Sequence, residues 1–150
     1  MPHFEQLISP SVIRNCIQEF PKLVATSHLH LWTFGDEIVD TVEFLLIGIM
    51  TVSAYDLRML DLLEASCAKG HLQNVHIAVF DWTDLATEPL RPYLPDIGEP
   101  TGTPLVAIWN EGNLTAHAWG YPARRLISDR YDLPWDYIMQ PYYRFRKQDE

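Results

Sequence analysis

The sequence is poor in cysteine. Cys16 and Cys67 are the only two, too few and too far apart for a disulfide scaffold or a zinc knuckle. Basic residues are also scarce: 11 Lys and Arg stand against 20 Asp and Glu, a formal charge of −9. A nucleic-acid surface needs a basic footprint, and anionic membranes attract the same sign, so neither is an expected partner. Arg144, Arg146 and Lys147 cluster, but Asp149 and Glu150 follow at once, as in a solvated tail. No apolar run approaches the 18 or so residues that read as a membrane-spanning helix. The start, Met1-Pro2-His3-Phe4-Glu5, has neither the basic region nor the apolar run of a signal peptide. Internal repeats and low-complexity segments are missing too. These absences lead to the expectation of a cytoplasmic protein with reduced thiols.

What is present describes one globular domain. The chain of 150 residues is 47% hydrophobic with five Trp and seven Tyr, enough to bury a core without staples. Ser9-Pro10 reads as a helix start, with Val12, Ile13, Cys16, Ile17 and Phe20 at helical spacing behind it. His28 to Phe34 alternates weakly as a strand would. Glu43 to Met50 is nearly all apolar, as in a strand covered on both faces. Ala54 to Lys69 reads as a helix with Leu57, Leu60, Leu63 and Cys67 on one face and Gly70 as its stop. Val75 to Phe80 is a further strand, so the three segments suggest a right-handed parallel β-α-β unit. Thr83 to Tyr93 reads as a short helical segment and Arg91 to Thr103 as a Pro-rich loop. Leu105 to Trp109 and Leu114 to Ala118 form a hairpin around Asn110-Glu111-Gly112-Asn113. A helix from about Pro122 to Arg130 follows. The aromatic-rich stretch after it packs on the domain or serves as a partner-binding tail.

The order from Phe44 to about Arg130, strand, helix, strand, helix, loop, Thr103-Pro104, strand, turn, strand, helix, resembles the thioredoxin fold. The block from Gly102 to Gly120 carries the likeness most specifically. The resemblance implies an α/β domain over 1–132, with a central mixed sheet flanked by helices, and a C-terminal extension over 133–150. It also implies that Pro104 follows a cis bond beside the active-site loop and that the backbone of Thr103 is exposed to pair with an extended peptide. Where thioredoxins carry Cys-x-x-Cys, this chain reads Thr51-Val52-Ser53-Ala54-Tyr55-Asp56. The family's tryptophan before the first cysteine is replaced by Thr51 or Val52, and the loop before Pro104 is longer and richer in proline.

Thiol exchange needs a thiolate at a helix N-terminus, where the dipole lowers its pKa. Ser53 or Thr51 takes that place here, and a hydroxyl is a poor nucleophile without a base. Cys67 falls near the C-terminal end of its helix, where the dipole acts the other way, and Cys16 sits on an apolar face; both read as packed residues. Ser53 followed by Asp56 is a capping-box-like pair. By the resemblance, Ser53 and Tyr55 match groups that touch the ligand thiol in glutathione-binding relatives. His28 and His30 share one strand face, but two imidazoles do not complete a metal site, and His71, His76 and His117 stand alone. Asp81-Trp82-Thr83-Asp84 ends a parallel strand and is placed for ligand contact or, through Asp84, for helix capping. Tyr55, Trp82 and Trp119 lie at element ends and are of types enriched in binding hot spots.

The expectation is a redox-inactive thioredoxin-like module that binds a protein or peptide client, as a chaperone or assembly factor does. It uses Thr51, Ser53, Tyr55, Thr103 and Pro104, with aromatic contacts from Trp82 and Trp119, and no metal or cofactor. The alternatives are an enzyme with a glutathione-type ligand at Ser53 or Tyr55, and a thiol oxidoreductase using Cys67 or Cys16.

Overall fold

The computed structural model describes residues 16–25, 29–32, 36–38, 42–82, 87–99 and 102–142. The expected helix start at Ser9-Pro10, His28, Thr83 and Asp84 lie outside them. Five strands form one sheet: β1 (Leu29–Leu31), β2 (Glu43–Ile49), β3 (Val75–Asp81), β4 (Leu105–Asn110) and β5 (Asn113–Trp119), in the order β1-β3-β2-β4-β5. β1 and β2 pair with β3 in parallel, while β4 runs antiparallel to both β2 and β5. The fold is therefore a mixed α/β sheet with helices packed on it. The helices bounded within the described residues include α1 (Pro21–Ala25), α2 (Ala54–Ala68), α3 (Tyr121–Tyr131) and α4 (Trp135–Ile138). No described helix is long and apolar enough to cross a membrane.

The apolar run of β2 is explained by two cores. Alternate side chains point to opposite faces of a strand. Leu45, Ile47 and Ile49 join Leu57, Leu60 and Leu63 of α2 and Ile127 of α3 on one face. Phe44 and Leu46 join Trp32, Phe80, Trp82, Leu90 and Leu94 on the other. Helices cover the first face. Over the described residues, the second is covered by the 87–97 segment, where the expected helix is reduced to one 3-10 turn, Glu88–Leu90. Pro89 and Pro92 withhold two N–H donors, although Arg91 itself keeps helical backbone (φ −57°, ψ −37°).

Local chemistry sets the element ends. α2 begins at Ser53, whose Oγ accepts the Asp56 N–H at 3.3 Å. It stops where Gly70 N–H bonds Cys67 C=O (3.0 Å) and His71 N–H bonds Ser66 C=O (3.1 Å), the paired pattern of a Schellman motif. The β4–β5 hairpin turns through Glu111 (φ 52°) and Gly112 (φ 81°), two positive values as a type I′ turn requires. Gly48 lies opposite Phe80 in the β2–β3 register. A Cβ there would sit 2.6 Å from Phe80 Cζ, so the missing side chain is what lets the ring lie flat across the strand.

The C-terminal segment folds back onto the start of α2. Tyr142 N–H bonds Ala54 C=O at 2.9 Å. Arg58 donates from Nε to Gln140 C=O (3.3 Å) and from Nη2 to Pro141 C=O (3.0 Å), and lies over the Tyr142 ring. At the far end of the sheet, the Tyr131 hydroxyl donates to Glu43 at 2.9 Å, and Arg130 pairs with the same carboxylate.

Candidate functional site

The carboxyl ends of β2 and β3 meet the start of β4 and the end of β5 at one edge of the sheet. This edge gathers most of the residues singled out from sequence. β2 leads through Met50, Thr51 and Val52 into α2. Thr51 is buried, Ser53 is half-buried, and Val52 and Tyr55 project outward, 82% and 44% exposed. On the neighbouring strand, the Thr103–Pro104 peptide bond is cis. Thr103 is half-buried and Pro104 buried. Pro104 C=O accepts the Gly120 N–H at 2.9 Å, which ties this loop to the start of α3.

Asp56 connects the two sides. Its side chain has no exposed surface. Oδ2 accepts the Met50 N–H at 2.9 Å, just past the last residue of β2. The Ser53 and Thr103 side chains also favour its ionised form, as does the positive charge of Arg124 on α3. Burial outweighs them all and raises the carboxyl to about 6. Oδ1 has no hydrogen-bond partner. A capping box would send this carboxylate back to the Ser53 N–H. That N–H is already bonded to Met50 C=O at 2.9 Å, so the carboxylate reaches Met50 instead. Only the serine half of the box is present.

Arg124 was not singled out by sequence reasoning. Its guanidinium lies 5.2 Å from the Tyr55 ring centroid, and its buried Nε has no hydrogen-bond partner. Among the described ion pairs Arg58, Arg91, Arg125 and Arg130 each have a carboxylate, and Arg124 has none. No local signal marks it, because its neighbour Tyr55 is 69 positions earlier in the chain.

The two tryptophans separate. Trp119 is half-buried at the end of β5. Trp82 has no exposed surface and packs against Trp119 at 5.7 Å in the second core. As the side chains stand, an aromatic contact from Trp82 to a bound molecule is closed off by its packing, and Trp119 is the accessible member. Asp81 is buried beside this edge, where desolvation raises its carboxyl. Neither cysteine is in a disulfide. Cys16 is buried. Cys67 lies 14 residues beyond Ser53, about 20 Å down the helix axis. His76 stacks on Phe44, His71 meets Ser66 Oγ at 3.3 Å, and His117 is on β5. Among the described residues, no group of three or more His, Cys, Asp or Glu could hold a metal ion.

The site can therefore offer hydroxyls, two buried acids (Asp56 and Asp81), one cation and exposed apolar surface, with no thiol at the junction. A scan against protein-family models finds no match to the chain, and a search of curated proteins finds none either.

Proposed function

We propose that this chain is a thioredoxin-like domain that has exchanged thiol chemistry for recognition. It holds an extended protein segment between the Thr51–Tyr55 junction and the Thr103–Pro104 loop. The strand order, the cis bond before Pro104 and the helix start at Ser53 support the likeness. The observation that carries the functional reading is the junction itself. Ser53 stands where a nucleophilic thiol would be needed, it is flanked by the exposed Val52 and Tyr55, and both cysteines are elsewhere. Exposed large apolar side chains beside a strand-start loop suit side-chain and main-chain contacts to an added strand.

The test is selection of binding peptides from a displayed library, followed by affinity measurement against variants. Val52→Glu and Tyr55→Ala should each weaken the selected peptide at least about tenfold, the effect of roughly 1.4 kcal/mol. Leu114→Glu, at the hairpin end of β5, should leave it unchanged. Equal binding by all three folded variants refutes the location. Arg124 beside Tyr55 also gives a cation for the carboxylates of a glutathione-type ligand. Calorimetric binding of glutathione that is lost in Ser53→Ala would favour that enzyme reading over peptide capture.

A further inference from the structure

Two buried atoms of opposite character stand unpartnered on α2 and α3, the two helices that begin at this edge. Asp56 Oδ1, in the first turn of α2, has no aligned donor, although the Thr103 side chain acts on this carboxyl; Arg124 Nε, in the first turns of α3, donates to nothing. Tyr55 is next to Asp56 in sequence and lies under the Arg124 guanidinium. The other groups acting on Asp56 are the Met50 N–H and the uncharged Ser53 and Thr103 side chains, so Arg124 is the charged group that acts on it.

We propose that Asp56 and Arg124 form a proton-operated cover over Tyr55. With Asp56 neutral, Arg124 rests on the Tyr55 ring; with Asp56 ionised, Arg124 turns to Oδ1 and uncovers the ring for a bound segment. The physical reasoning is symmetrical. A buried carboxylate oxygen is costly until a donor meets it, and a buried guanidinium N–H has the complementary need. On the ring, the guanidinium gains a cation–π contact but leaves its buried Nε–H without an acceptor. A charge-assisted hydrogen bond to the ionised carboxylate satisfies both unpaired groups at once, so ionisation decides which position the arginine takes. A neutral acid removes that preference. Burial raises the carboxyl to about 6 with Arg124 on the ring, and pairing with Arg124 draws it back down, so the change falls between the ordinary carboxylate range and that value. Uncovering Tyr55 for capture rests on the recognition reading above; the movement of Arg124 does not.

The experiment follows the full chain, labelled with carbon-13 and nitrogen-15, by NMR across this pH range. The Asp56 carboxyl carbon, the Arg124 Nε–H and the Tyr55 ring signals should titrate together. In Asp56→Asn the Arg124 and Tyr55 signals should stay at their low-pH positions. In Arg124→Gln, which keeps a polar side chain on a half-buried helix position, the Asp56 midpoint should rise and the Tyr55 ring should stop responding. An Arg124 Nε–H or a Tyr55 ring that ignores the Asp56 titration overturns the proposal. A library-selected peptide should bind about fivefold or more tightly above the midpoint than below it, and with no such difference in Asp56→Asn. A coupled titration without peptide capture at any pH overturns the recognition reading and upholds the cover. Capture without a coupled titration overturns the cover alone.

Discussion

Replacing Gly48 by alanine tests the packing that carries the second core up to the site. The new Cβ would lie 2.6 Å from Phe80 Cζ and 3.0 and 3.1 Å from the two Cε atoms. Ordinary carbon contacts are about 3.5–4.0 Å, so the ring must retreat by about 1 Å. It has little room, because Phe80 is buried between Trp32 at 5.7 Å and Trp82 at 6.4 Å. Overpacking of this kind costs about 1–3 kcal/mol. Alanine recovers about 0.5–1 kcal/mol of that through its lower backbone entropy cost. The expected net loss is about 0.5–2 kcal/mol. Urea unfolding should show it as a lower midpoint at unchanged slope. Adding Phe80→Leu to Gly48→Ala should cost clearly less than the two single changes summed, because the shorter side chain vacates the space that the new Cβ needs. An unchanged midpoint, or strict additivity in the double variant, refutes the clash.

The buried carboxyl makes a second prediction. Burial raises Asp56 to about 6 from the ordinary carboxylate value of 3.8, so the folded state binds the proton more tightly than the unfolded one. Its contribution to stability is complete below the unfolded value and is lost as pH rises through the folded one. The loss is at most about 3 kcal/mol for a shift of roughly 2 units. Asp56→Asn should remove that slope and be the more stable protein at pH 8; a wild-type profile that is flat or rises over this range would contradict it. Ser53→Ala removes the cap of α2 and should cost about 1 kcal/mol. It should also raise the Asp56 midpoint further, since the serine favours the carboxylate; a lowered midpoint would show that the serine acts otherwise.

Much of the frame was legible because it follows from period and punctuation. The unbroken apolar run of β2 required cover on both faces, and both cores are there. Ser53 and Gly70 bracket α2 at the positions that their chemistry favours. The hairpin followed from its turn residues. The cover of the second face was less legible. It depends on Leu90, Leu94 and Ile97 in a segment interrupted by Pro89, Pro92 and Pro95, where no strand or helix period survives. At the site, sequence spacing marked Ser53 and Asp56 as a capping pair but could not show that the carboxyl is buried. The reason is that the atoms enclosing it come from Met50, Thr103 and α3, which meet only in the folded chain. Arg124 is the same case in reverse. Trp82 and Trp119 look alike in sequence, both at strand ends, and only the packing of one beneath the other separates them.

The aromatic row from Trp32 through Phe80 and Trp82 to Trp119 gives the molecule its own optical reporter. Trp82 is sealed from solvent and Trp119 is half open at the edge of the sheet, so the two indoles emit from unlike surroundings. A molecule settling at that edge would shield or quench the outer indole first, and the change in colour and intensity would register occupancy without any added dye.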